Sequence, residues 1–435
     1  MIPIQVRDNH LSDRELTDQE LEALQPFVGK TVAQLAEETD LLVLPHDFKR
    51  IPDGISSSTL FTFCGRRLSV GNVIGFWGVG EAFVNSRSRF DSDDRQYFFH
   101  YMLQRVLGVH LVNWQAPSNQ DSVWDFLIYL FPALLKRAYR QGLFRAYRTA
   151  RYNDDRIRGG IDVSRHICMN IPFAGRVAYS VREYATNNPV NQLVRHVIEE
   201  VKARCPVLLT GDVEIRMAVR AIQDATPDYC RFDRRKVIVD NLKPVRHPYL
   251  TEYTILQKLC LQILRHEKVS FGRADRKLKG VIFDASWIWE EYLATLLKPQ
   301  GVLHPENKTG RGGIDMYCAS PHFRCYPDFI WPNRQMILDA KYKRVDEQDG
   351  IAREDRFQLI SYLHITQFRH GVILYPTTTN AVQRVEGSLR GHGGQIGAIP
   401  LRLPVNESYG VNFSAYSKEM SQRENDFLFA TARFQ

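Results

Sequence analysis

Hydrophobic and polar positions alternate most tellingly in the last third of the chain. In Met336-Ile337-Leu338-Asp339-Ala340-Lys341-Tyr342 a period of two puts Ile337, Asp339 and Lys341 on one side of a strand and Leu338, Ala340 and Tyr342 on the other. Tyr326-Pro327-Asp328-Phe329-Ile330 is a second short extended run, and Trp331-Pro332-Asn333-Arg334 between the two supplies turn residues, so the pattern predicts a hairpin. Pro327 falls near a strand start, where a missing N–H costs least. Upstream, Ser286 to Leu297 has helical apolar spacing with Glu290 and Glu291 embedded in it. Downstream, Arg353 to Tyr362 predicts a helix with Gln358 and Tyr362 four apart on one face, and His370 to Pro376 predicts an apolar strand. The order is helix, two strands, helix, strand.

The first 160 residues read differently. An acidic helix is expected around Asp18 to Glu38, followed by extended runs at Leu60–Phe63 and Leu68–Val70 set among Gly65, Gly71, Gly75, Gly78 and Gly80. These glycines make no phosphate loop, because no Gly-Lys-Ser/Thr follows them, so the chain itself is expected to hydrolyse no nucleotide. Helices are then expected over Gln96–Val106 and Asp121–Tyr147, the second with Lys136, Arg137, Arg140 and Arg145 toward its end. Such a basic end suits the helix dipole, and it also suits phosphate or an acidic partner. Gly159-Gly160 marks a turn or bulge, and Asn188-Pro189 is an N-cap with proline at the first helical position before Val190 to Lys202.

The length of 435 residues implies two or three domains. The expected architecture is a multidomain α+β/α/β protein: an N-terminal β-rich and helical region over 1–160, a helical connecting region over 161–269, and a C-terminal domain over 270–435 built on a central mixed sheet flanked by helices. With 44% hydrophobic residues the chain can bury ordinary cores, and general disorder is excluded. A net charge of +8 favours an anionic partner such as nucleic acid. The longest apolar stretch, from Val123 to Leu135, carries Asp125 and is too short to span a membrane. The start shows no basic segment followed by an apolar one, and the seven cysteines form no Cys-x-x-Cys pair, so a cytoplasmic protein with reduced thiols is expected. Cys318, His322 and Cys325 are the one soft-metal grouping, and they lack a fourth ligand.

The hairpin carries the candidate chemistry. Phosphodiester hydrolysis needs a cation that neutralises phosphate oxygens and activates water, and Mg²⁺ is commonly held by one or two carboxylates plus waters. Asp328 and Asp339 supply such carboxylates, and Lys341 stands two residues on, placed to orient the water or to stabilise developing charge.

Pro327-Asp328 followed by Asp339-Ala340-Lys341 resembles the signature of the PD-(D/E)xK nuclease superfamily, and Gln358 with Tyr362 looks like the Gln-x-x-x-Tyr element of a subset of it. The resemblance implies that an acid on the preceding helix completes the metal site, Glu290 or alternatively Glu291, and that the Ala340 backbone carbonyl joins the ligands. Gln358 and Tyr362 would support the site or position DNA. The stretches Gln141–Tyr147, Ile157-Arg158-Gly159-Gly160-Ile161-Asp162 through Ile167, and Gly175–Tyr184 are similar to the McrC subunit of McrBC-type restriction systems, a likeness running on through the catalytic core. Its arginines have structural pairing with Glu183 or Asp162 as an alternative to contacts with a partner or DNA.

This family resemblance implies a Mg²⁺-dependent DNA endonuclease subunit that docks on a hexameric McrB-like AAA+ GTPase. GTP is bound by that partner, which also recognises and translocates double-stranded DNA, and no membrane is involved. The chain departs from compact members in a longer N-terminal segment and in a tail after Pro404. Two other functions stay open: a non-catalytic adaptor that activates the motor, against which intact Asp328, Asp339 and Lys341 argue, and a stand-alone repair nuclease.

Overall fold

The computed structural model describes residues 3–45, 55–80, 82–91, 95–108, 120–265, 278–305, 312–318, 320–345, 350–391, 393–405 and 412–434. Two compact units emerge, one formed by Met1–Val123 with Phe271–Gln435 and the other by Trp124–Ser270.

The first unit begins with β1 (Ile4–Arg7), α1 (Asp18–Leu24) and α2 (Val32–Glu38). One helix was expected over Asp18–Glu38. The structure instead has a 3₁₀ turn at Gln25–Phe27 containing Pro26, and a new helix starts at Thr31, whose hydroxyl accepts from the Gln34 amide in a capping box. β2 (Asp40–Leu44) follows, then the hairpin of β3 (Phe61–Cys64) and β4 (Arg67–Val70) where extended runs were expected. β5 (Val73–Val79), β6 (Ala82–Arg87) and α3 (Tyr97–Leu107) complete this stretch.

The second unit contains α4 (Gln120–Arg140) from Trp124 onward, β7 (Ala146–Asp154), β8 (Gly160–Ile161), α5 (Val163–Asn170), β9 (Val177–Ala185), α6 (Pro189–Arg204), α7 (Val213–Ala225), α8 (Arg234–Asp240) and α9 (Glu252–Arg265). The helix expected to reach Tyr147 stops at Arg140. Gly142 has φ +102°, which turns the chain, and Tyr147 lies in β7. The basic end of α4 is taken up by ion pairs within this unit: Lys136 with Asp212 and Glu214, Arg137 with Glu252, and Arg140 with Glu214. The stretch expected to be helical also holds sheet, since β9 pairs antiparallel with both β7 and β8. Asn188 caps α6 and Pro189 opens it, as expected. Arg165 lies 3.8 Å from Asp162 and Arg158 binds Asp154 and the Tyr179 hydroxyl, so structural pairing accounts for both arginines.

The chain then returns to the first unit with β10 (Lys279–Asp284), α10 (Ala285–Leu297), β11 (Ile314–Tyr317), β12 (Ser320–Cys325), β13 (Phe329–Trp331), β14 (Met336–Ala340), α11 (Arg353–Thr366), β15 (His370–Thr377), β16 (Arg384–Ser388), β17 (Gln395–Arg402) and α12 (Phe413–Ala432). β10 enters the N-terminal sheet, whose order is β1-β6-β5-β10-β2, pairing parallel with β2 and antiparallel with β5. The C-terminal sheet runs β13-β14-β15-β17-β16 and is mixed: β14, β15 and β17 are parallel, and antiparallel strands close both edges. The expected order of helix, hairpin, helix and strand is present as α10, β13–β14, α11 and β15. Ile330, Ile337, Leu359, Tyr362, Leu363, Ile373 and Ile396 share one buried cluster, which fixes the face of β14 that meets α11. The tail after Pro404 ends in α12, where buried Glu424 accepts from the Tyr292 hydroxyl of α10 at 2.6 Å.

Candidate active site

The hairpin register sets the geometry. Phe329 pairs with Leu338, so one residue further out Asp328 comes opposite Asp339 on the same face of the sheet. Asp328 Oδ2 accepts from the Ala340 amide at 2.7 Å. For Ala340 the contact to the site is therefore made by the N–H, while the carbonyl is the atom expected among the metal ligands. Asp339 is 1% exposed, and the Lys341 Nζ lies 2.6 Å from its Oδ2. The Lys341 ammonium also donates to Gln358 Oε1 at 2.9 Å, and Gln358 Nε2 donates to the Tyr362 hydroxyl at 2.9 Å. That hydroxyl reaches back to the Tyr326 carbonyl at 3.5 Å, two residues before Asp328 at the entry to β13. The four-residue spacing on α11 thus forms a polar line from the lysine back to the hairpin.

Burial and like charge act together on the acids. Burial, then Asp339, then Glu290 push the Asp328 carboxyl well above the usual carboxylate range. Burial also raises Asp339, against the opposing pull of Lys341. For Lys341, burial pulls downward, but Asp339, Asp328 and Asp355 together outweigh it and the net shift is upward, so the side chain is a cation at neutral pH. Burial lifts the Tyr362 phenol to about 12, so it stays protonated and available as a hydrogen-bonding group.

Two residues of the site escaped the sequence reading. His304 stacks on Phe329 with ring centroids 4.9 Å apart, its Nδ1 lies 2.8 Å from the Asp328 carbonyl, and its Nε2 stands 3.8 Å from Glu290 and 3.9 Å from Glu291. A bridge between Leu303 and Ile330, with both amide-to-carbonyl distances at 2.8 Å, brings it there. Asp355, buried near the start of α11, pairs with Lys343 and lies 3.9 Å from the Lys341 Nζ. The only signal for Asp355 was its place three residues before Gln358, inside a run of charges that reads as a solvated face.

Of the two candidate helix acids, Glu290 is the one whose charge acts on Asp328. Among the described residues, however, no three His, Cys, Asp or Glu side chains stand close enough together to hold an ion by themselves. The structure therefore brings the two aspartates together without gathering Glu290 into a three-acid cluster. Paired carboxylates are the oxygen donors that a hard cation takes together with waters, and Asp328 and Asp339 are the two described residues that could hold one here. Cys318 is exposed and Cys325 is buried in the core, so these two thiols lie in different surroundings.

Glu290→Gln is expected to lower any activity of this site by roughly 10- to 100-fold, the scale of losing a group that tunes a metal site, and Glu291→Gln by less than about threefold. Parallel rates of the two variants decide between them, and equal losses would contradict the assignment.

Fold and site together define a two-unit α/β protein with a buried acid–lysine centre at the end of a mixed sheet. Residues 68–376 match the McrBC 5-methylcytosine restriction system components, and the chain belongs to that family. The resemblance to McrBC-type systems read from the sequence is borne out. In fold the chain is similar to one in a solved half-complex from a tetradecameric assembly of Thermococcus gammatolerans McrB AAA+ hexamers with bound McrC. The TM-score is 0.50 at 17% identity, with 98% of this chain and 99% of that chain covered. A chain in the cryo-EM structure of the Thermococcus gammatolerans McrBC complex aligns over 68% of this chain and 87% of its own, with 16% identity and a TM-score of 0.33. No curated protein sequence matches. No described helix is long and apolar enough to cross a membrane.

Proposed function

We propose that this restriction-system component is the McrC-like, Mg²⁺-dependent endonuclease subunit, with a PD-(D/E)xK-type catalytic domain, and that it docks on a McrB-like AAA+ GTPase hexamer and cuts the double-stranded DNA which that partner selects. The observation that carries the reading is the Lys341 ammonium held 2.6 Å from Asp339 and 2.9 Å from Gln358, beside the opposing Asp328. Family membership supports it, as does the likeness in fold to a chain from an assembly described as McrB hexamers with bound McrC. The glycine-rich N-terminal stretch lacks a phosphate loop, which fits nucleotide hydrolysis by a partner.

Asp328 and Asp339 would hold Mg²⁺, with Glu290 acting from the side of α10. The bound cation would neutralise phosphate oxygens and lower the pKa of water. Lys341, whose ammonium is favoured by its carboxylate neighbours, would donate to the attacking water or to the phosphate oxygens where negative charge grows. Gln358 fixes the ammonium's direction, and Tyr362 in turn fixes Gln358.

Lys341→Met keeps an unbranched side chain one atom shorter and removes the charge. Cleavage of plasmid DNA by the assembled complex is expected to fall by roughly 100-fold, the scale of losing one electrostatic stabiliser. A variant that cuts at the wild-type rate would contradict the role.

A further inference from the structure

Behind the sheet face that carries Asp339 and Lys341, the next residue joins a buried polar network from the N-terminal part of the same unit. Tyr342 points to the opposite side of the strand from Lys341 and is 5% exposed. Its hydroxyl lies 2.5 Å from the Ser88 hydroxyl, its ring meets Phe90 edge-on at 5.0 Å, and the Arg89 guanidinium stands 5.2 Å from its centroid. Arg89 is itself held at three points. Its amide and its Nε donate to the two carboxylate oxygens of fully buried Asp8, each at 2.6 Å, and a terminal nitrogen donates to Asn72 Oδ1 at 2.5 Å.

Asn72 continues the network to the other flank of the site. Its Nδ2 donates to the Ser286 hydroxyl at 2.6 Å, and its carbonyl accepts from the Ala285 amide at 3.1 Å. Ser286 lies in the first turn of α10, four residues before Glu290 and therefore on the same helix face. One guanidinium thus touches the residue that follows the lysine and, through one amide side chain, the start of the helix that bears the acid.

Burying an ion pair is a poor way to gain stability, because desolvation consumes much of the attraction and apolar packing does as well; in some proteins its contribution is instead to specify one geometry. An acid–lysine centre works only when its groups keep their relative positions to within a fraction of an ångström. We infer that Arg89 is a positioning residue for DNA cleavage: through Tyr342 and Asn72 it sets Lys341 and Glu290 relative to each other from the N-terminal sheet. The inference rests on the nuclease reading of Lys341.

The test compares Arg89→Ala, Arg89→Lys, Asn72→Ala and Lys341→Met in the full chain assembled with its GTPase partner. Single-turnover plasmid cleavage, apparent DNA affinity, stimulation of GTP hydrolysis and the thermal midpoint are all measured. Asn72→Ala cuts the side-chain link between Arg89 and Ser286 and leaves the Arg89–Asp8 pair in place, so it is the informative variant if Arg89→Ala does not fold. The expected result is a fall in maximal cleavage rate of about tenfold for Asn72→Ala and more for Arg89→Ala, partial recovery in Arg89→Lys, and unchanged DNA affinity and GTPase stimulation. Wild-type cleavage by a folded Arg89→Ala or by Asn72→Ala, with Lys341→Met inactive, overturns the inference and leaves the nuclease reading standing. A loss that merely follows the unfolded fraction also overturns it. Cleavage by Lys341→Met at the wild-type rate overturns the nuclease reading itself.

Discussion

Asp339→Asn is expected to abolish DNA cleavage, by about 1,000-fold or more, while leaving the chain folded and bound to its partner. Asp339 is 1% exposed, and burial works against its charge while the Lys341 ammonium 2.6 Å away works for it. Asparagine has nearly the same volume and removes the burial cost, so the core around Ile337 and Leu338 is undisturbed. What is lost is a hard anionic ligand and the partner that holds Lys341 in place. Cleavage and GTPase stimulation measured on the same assembled sample separate the two roles, and normal cutting by the variant would contradict the site assignment.

Gly280→Ala is expected to destabilise the first unit by on the order of 3–5 kcal/mol, a large share of the 5–15 kcal/mol typical of a folded domain. Gly280 has φ +143°, and a Cβ built there would lie 2.0 Å from the Phe76 carbonyl oxygen and 2.6 Å from the Trp77 Cα. Across the strand pair Gly75 has φ +140°, and its Cβ would meet the Val281 carbonyl oxygen at 2.2 Å. The atoms in the way belong to backbone and cannot swing aside. β10 lies between β5 and β2, so moving it breaks ladders on both sides. Gly65→Ala is the control: at φ +60° with nothing within 4 Å it pays only the left-handed penalty of about 1–2 kcal/mol. Thermal unfolding of both variants is the check, and equal midpoints would show that the close approach carries no weight.

The β13–β14 hairpin was legible because its information is local. Alternation placed Asp339 and Lys341 on one face, Trp331-Pro332-Asn333-Arg334 marked the turn, and the helical period placed Gln358 over Tyr362. The structure shows each of these relations as a short distance. Helix ends were read less well. The run from Asp121 to Tyr147 has continuous apolar spacing, and only the backbone of Gly142 shows where it breaks, while the interior Pro132 that ought to break α4 does not.

What the sequence hid depends on pairing between distant segments. His304 reaches Asp328 only through the Leu303–Ile330 bridge, and nothing in its own neighbourhood marks it as part of a site. Asp355 looks like one more charge on a polar helix until the ion pair with Lys343 is seen. The antiparallel pairing of β10 with β5 joins strands from the two separate stretches of chain that make up the first unit, and its last pair, Asp284 opposite Val73, seats the start of α10 beside Asn72. Tyr342 read as an apolar back-face residue, and its hydroxyl bond to Ser88 has no local signal at all.

The most direct test of the account is cleavage of methylated and unmethylated plasmid by this chain with its McrB-like partner, in the presence of GTP and Mg²⁺, and with each of partner, GTP and Mg²⁺ withheld in turn. The account predicts cutting only when all three are present, with any preference between the plasmids set by the partner. Cutting by the chain alone with Mg²⁺ would contradict the partner-dependent reading, and full activity in EDTA would contradict the metal-dependent site at Asp328 and Asp339.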